Sequence, residues 1–190
     1  MDNAVSGSIR RFLRDATERH HSRVDRAAAG MRLDTREGYT RFLAAQAAVI
    51  VPLEAQLQVD GVAQVLPDWR ARKRAAAIEM DLMELGSDHG WIHPPFFANA
   101  AQLLGACYVL EGSRLGARAV LAKLGRTTAT RFLEHGQGAR LWPSFLAILE
   151  THPCVHRNPA LALDAADAVF ALFESALTEA AGTQELAAAS

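Results

Sequence analysis

The sequence predicts an all-α fold: a single helical-bundle domain in which one long helix is kinked by glycines. Three observations predict it. Half of the 190 residues are hydrophobic, with Ala and Leu dominant, and these favour helix over strand. No stretch sustains the two-residue alternation of a half-buried strand. Apolar residues recur instead at three- and four-residue spacing from Ile9 to Leu177. A chain of this length fits one domain with a real core. Residues 1–190 are therefore read as one unit, with 1–7 and 182–190 as flexible termini.

Ile9, Phe12, Leu13, Ala16, His20, Val24 and Ala27 place a first helix over 8–29, closed by a loop at 30–33. Asp34-Thr35-Arg36-Glu37 has the form of a capping box, with Asp34 as N-cap. The second helix then carries Tyr39, Phe42, Leu43, Gln46, Ile50 and Leu53, and Pro52 should bend or interrupt it. Pro67 opens a third helix carrying Trp69, Ala76, Met80 and Leu85, and Gly86 stops it. Gly, Asp, His and Pro make 87–95 a loop. A long fourth helix over 96–124 is broken by Gly112 and Gly116. Shorter helices follow over 128–135 and 141–150, then a loop over 153–159. A last helix over 160–181 turns Leu163, Ala166, Phe170, Phe173 and Leu177 inward, and the tail after it is expected to fray.

Composition excludes several functions. The formal net charge is −1, so a nucleic-acid partner is disfavoured. No window of about 18 apolar residues stands out, so no membrane span is expected. The polar N-terminus lacks the apolar core of a secretory signal. Cys107 and Cys154 have no metal-ligand spacing, and two thiols in such a chain fit a reducing cytoplasm. Lys73 and Lys123 are the only lysines among many arginines, which reads as codon bias.

The fourth helix carries the first chemical signal. Glycine inside a helix costs about 1 kcal/mol against alanine. Gly112 and Gly116 share one face, and Ser113 and Ala117 extend the small-residue patch. Something must approach this backbone closely. One reading is another helix packed tightly against it. The other is a flat ligand, with a kink that exposes peptide N–H groups.

The second signal is His20-His21 in the first helix. A histidine there is usually a packed or surface residue, but imidazole is also a common axial ligand of haem iron. Periodicity sets His20 nearer the centre of the apolar face and His21 toward its edge, so pattern alone favours His20.

Two motifs resemble the bacterial haem oxygenases often found beside bacteriophytochromes. Leu13-Arg14-Asp15-Ala16-Thr17-Glu18-Arg19-His20-His21-Ser22-Arg23-Val24-Asp25 is similar to that family's proximal helix. Tyr108-Val109-Leu110-Glu111-Gly112-Ser113-Arg114-Leu115-Gly116 is similar to its distal helix. Tyr39-x-x-Phe42-Leu43, Pro52-Leu53-Glu54 and Trp142-x-x-Phe145 also sit where the family has them, and the resemblance spans Leu13 to Leu177. By the family's spacing from Thr17 and Val24-Asp25, His21 rather than His20 is the expected iron ligand. The resemblance assigns Arg14 and Tyr108 to the haem propionates, with Arg10 and Arg11 as weaker candidates whose plainer role is a solvated face. It places Gly112, Ser113 and Gly116 at the catalytic distal side, with Phe170 and Phe173 helping to close the pocket. Arg114 departs from the small polar residue of some relatives.

The resemblance implies that haem is both cofactor and substrate. Oxygen would open it to biliverdin, carbon monoxide and ferrous iron. Electrons would come from an external donor of the ferredoxin or flavodoxin type or another reductase, since no Gly-x-Gly-x-x-Gly fingerprint is present. A bacteriophytochrome is an implied recipient of biliverdin, and a monomer is the expected state. A di-iron bundle needs two Glu-x-x-His motifs, and Glu18 to His21 supplies one. His89 and His93 sit among Gly and Pro, which disfavours a helical zinc pair. The rival that stays open is a non-catalytic haem carrier, sensor or helical interaction module of the same fold.

Overall fold

A computed structural model describes residues 7–124, 127 and 129–188, with side chains described through 182. Its helices are α1 (Ile9–Ala16), α2 (Glu18–Ala29), α3 (Arg36–Val59), α4 (Trp69–Arg72), α5 (Ala75–Leu85) and α6 (Ala100–Ser113), then α7 (Ala117–Leu121), α8 (Arg131–Glu134), α9 (Leu141–Thr151), α10 (Pro153–Arg157) and α11 (Pro159–Ala188). Short 3-10 turns cover Val62–Gln64 and Arg114–Gly116. No strand occurs among the described residues. The expected all-α bundle with a kinked distal helix is the architecture found.

The apolar pattern explains the packing. α11 lies along α6 and also meets α2 and α3, while α3 packs on α5. Leu43, Ile50, Leu53 and Leu57 of α3 join Leu104 and Cys107 of α6 and Ala162, Val169 and Leu177 of α11 in one core without solvent exposure. Burying a Leu, Ile or Val side chain of this kind stabilises by about 1.5–3 kcal/mol.

Several boundaries differ from the sequence reading. The single first helix divides at Thr17, whose hydroxyl donates to the Leu13 carbonyl at 2.8 Å, a back-bond that bends helices. Thr35, not Asp34, caps α3: its Oγ1 accepts from Gly38 N–H at 3.1 Å, while Asp34 pairs with Arg32. Pro52 does not interrupt α3. The ring leaves the Ala48 carbonyl without its helical donor, and Ile92 N–H from the 87–99 loop supplies one at 3.0 Å. That loop is four residues longer than expected, since α6 begins at Ala100 behind an Asn99 cap. The third helix is split at Lys73–Arg74 into α4 and α5. α10 occupies an expected loop, started by Pro153 at its first turn. The backbone of α11 continues to Ala188, beyond the Gly182 where fraying is expected. The expected flexible stretch 1–7 lies, except for Gly7, outside the described residues.

Among the described residues one helix, α3, is long and apolar enough to cross a bilayer, which corrects the reading that no such window exists. Two thirds of that window is buried inside the fold, as in a core helix.

Distant carboxylates cap three helices. Glu150 of α9 accepts from Ile9 and Arg10 N–H at 3.1 and 2.9 Å. Glu54 of α3 accepts from Arg74 and Ala75 N–H at 2.9 and 3.0 Å, opening α5. Asp81 of α5 accepts from Arg131 and Phe132 N–H at 3.2 and 2.9 Å, opening α8. Each satisfies orphan donors and lies favourably in the helix dipole.

Candidate active site

No residue of α2 is fully buried, although the helix lies against α11. Its inward face looks into open space. His21, Val24, Asp25 and Ala28 line a largely apolar chamber of about 340 Å³ with Phe42, Val120, Leu133, Phe170 and Phe173. A neighbouring chamber of about 430 Å³ is lined by Arg10, Arg14, Asp15, Glu18, Tyr108 and Trp142. His21, Asp25, Gly112 and Leu115 border both, so the two meet between α2 and the kinked end of α6.

The two adjacent histidines are in different settings. His20 Nδ1–H donates to Glu174 of α11 at 2.6 Å, and its ring stacks on Phe170 at 5.7 Å and 16°. His20 borders neither chamber. His21 meets the same Phe170 edge-on at 4.6 Å and 70° and borders both. Burial holds the His21 imidazole below its usual 6.5, Asp25 opposes that and His20 adds to it. The ring is therefore neutral at pH 7, as a metal-binding nitrogen requires.

The small residues of α6 divide by role. A Cβ on Gly105 would stand 2.0 Å from the Ala162 carbonyl oxygen, so this glycine admits the α11 backbone. A Cβ on Gly112 would only touch the Trp142 ring at 3.8 Å, and one on Gly116 would meet nothing within 4 Å. Tight helix contact thus belongs to Gly105, and open space to Gly112 and Gly116. Three residues of 3-10 turn separate α6 from α7 there. Ser113 donates to the Leu110 carbonyl at 2.8 Å, accepts from Arg74 and borders the apolar chamber.

Arg14 and Tyr108 share the polar chamber. Burial raises the Tyr108 phenol, while a contact with Thr17 and the charges of Arg10 and Arg14 pull it back. Arg10, exposed as expected of a solvated side chain, also borders this chamber, whereas Arg11 does not. Sequence reasoning missed Trp142 beneath Gly112, and also Gln46 and Arg74, polar groups of the apolar chamber. Gln46 gave a hint as a polar residue on an apolar helix face, and Trp142 as part of Trp142-x-x-Phe145, though neither was named a site residue.

A histidine-bearing helix facing a glycine-kinked one across an amphiphilic slot defines a haem-oxygenase-like bundle. Two solved structures share the fold. A nitric-oxide- and carbon-monoxide-bound haem oxygenase from Neisseria meningitidis superposes with TM-score 0.72 at 22% identity, covering 92% of each chain. A haem oxygenase from Leptospira interrogans gives 0.69 at 18% identity, covering 91% of this chain and all of that one. No family model matches the chain. In sequence it is 29% identical over 172 residues to haem oxygenase PigA of Pseudomonas aeruginosa, covering 79% of this chain and 84% of that protein. It is 30% identical over 145 residues to a haem oxygenase of Xanthomonas campestris pv. campestris, covering 73% and 88%. The chain belongs to the haem oxygenase family.

Proposed function

We propose that the chain is a haem oxygenase that opens haem with O₂ and external electrons, releasing biliverdin, carbon monoxide and ferrous iron. The observation that carries it is one shared wall: the neutral imidazole of His21 and the open space at Gly112 border the same two chambers. The chambers match haem in character, one apolar for the macrocycle and one with arginines for its carboxylates.

Haem, when bound, supplies the iron that activates oxygen and the porphyrin that is cut. The chain's own residues hold and orient it. His21 offers its ring nitrogen to the iron, steadied by the edge of Phe170. Arg14 and Tyr108 meet the propionates through charge-assisted hydrogen bonds. Gly112 and Gly116 keep side chains out of the oxygen side, and Ser113, tied to Arg74, places a hydroxyl at its border. Phe170 and Phe173 give the apolar chamber part of its wall and would help close it over bound haem. Neither cysteine borders a chamber, so no thiolate competes as ligand. In this reading the donor is a ferredoxin- or flavodoxin-type or other reductase. The product is available to a bacteriophytochrome, and the enzyme works as a cytoplasmic monomer.

The test is turnover. Haemin is added to the protein with a reductant in air, and the Soret band should decay into biliverdin absorption. A stable Soret band marks a carrier or sensor instead, and no Soret band marks an interaction module.

A further inference from the structure

The turn Arg114–Gly116 and the helix α7 after it contain no buried residue. Leu115 is 61% exposed, and a Cβ on Gly116 would meet nothing within 4 Å. Apolar packing holds this stretch only in part, through the half-buried Ala117, Val120 and Leu121 of α7. Its one deeply engaged side chain is Arg114, which is only 12% exposed. Nε donates to Glu111 at 3.1 Å, Nη1 to the ring Nδ1 and carbonyl of His135 at 3.2 and 3.3 Å, and Nη2 to the Arg72 carbonyl. These partners sit on α6, at the end of α8 and at the end of α4.

The partners are themselves fixed. Glu111 is buried, and its other oxygen accepts from Arg72 at 2.7 Å. Arg72 donates in turn to the Leu141 carbonyl and to Ser144, both at 2.8 Å. A guanidinium spreads five N–H donors over three nitrogens in one rigid plane, whereas an ammonium gathers its three donors on a single atom.

We infer that Arg114 is a positioning residue: its guanidinium ties the distal turn to α4, α6 and α8 and so sets where the Gly112–Gly116 backbone stands over the haem. The inference rests on the reading of the site given above. Arg114 borders neither chamber; it acts through the backbone that carries Leu115 and Gly116.

Arg114→Ala and Arg114→Lys test it, with two readouts. The first is amide hydrogen exchange of the haem-free protein. Amides of 113–121 should exchange at least about tenfold faster in both variants, while those of 100–110 keep their protection. The second is the stretching band of carbon monoxide bound to the ferrous haem complex, which should shift and broaden while the axial imidazole signature persists. Lysine keeps a charge beside Glu111, so a variant that folds on that charge alone still loses the fork. Unchanged exchange, or an unchanged carbon monoxide band in a folded variant, overturns the assignment. Absence of any haem complex in the wild type would instead sink the reading of the site, and this assignment with it.

Discussion

His20 Nδ1 and Glu174 Oε1 lie 2.6 Å apart, across α2 and α11. That hydrogen bond turns His20 toward α11 and leaves its neighbour His21 facing the slot. The expected outcome in haemin complexes is unequal. His21→Ala abolishes the axial imidazole signature in the resonance Raman or electron paramagnetic resonance spectrum. His20→Ala keeps it, with a lower melting temperature from the lost link to Glu174. The reverse pattern would mean that the proximal register is wrong by one residue.

Glycines 105 and 116 should respond oppositely to the same change. Gly105→Ala drives a methyl into the Ala162 carbonyl and should cost about 3 kcal/mol in chemical denaturation. Gly116→Ala meets no atom and has an ordinary backbone, φ −74°, so the apo fold should be unharmed or gain up to about 1 kcal/mol. Gly116→Leu should keep the fold but lower haem affinity and turnover. Equal stability losses at 105 and 116 would remove the distinction between helix contact and ligand space.

Of the residues named from sequence as site members, His21 and Gly112 border both chambers, Arg14 and Tyr108 the polar one, and Ser113, Gly116 and Phe170 the apolar one. Only the two distal glycines carry a local signal, as glycine inside an apolar helix; His21, Arg14, Tyr108, Ser113 and Phe170 were read from the family resemblance. Periodicity alone pointed to His20. It registers which residues face inward, and both a carboxylate on α11 and an open slot lie inward of α2. Helix existence was legible too, because Ala and Leu repeat at helical spacing. Boundaries were not, because tertiary partners set them: Ile92 rescues Pro52, and Glu54 starts α5 from another helix. Arg114 showed only as a departure from relatives, since its partners lie up to 42 residues away in sequence.

Glu54 has a stability role that its burial makes measurable. Burial raises its carboxyl, while the Arg74 and Ala75 amides and the charges of Arg74 and Arg114 pull it down. Glu54→Ala leaves two amide donors without an acceptor at the start of α5, and should cost about 2–3 kcal/mol in urea unfolding. Glu54→Gln keeps one acceptor and should cost less. A neutral effect of the alanine change would show that water replaces the cap.

His135 should impose a pH dependence on the apo fold. Burial holds its imidazole below the usual 6.5, the Arg114 and Arg74 charges push it further down, and Glu111 alone opposes them. The Arg114 Nη1 donates to its Nδ1, which needs the neutral ring. The sign follows from these facts. Above pH 6.5 the ring is neutral in both folded and unfolded chains, and the contribution is fully present. Below it the unfolded chain takes up a proton first, so stability falls as the pH drops toward the lower folded value. The urea midpoint should therefore decline between pH 7 and 5, and more gently in His135→Gln, which has no proton to gain. Parallel pH curves for the two proteins would show that His135 titrates alike in both states, and that the guanidinium of Arg114 does not depend on it as an acceptor.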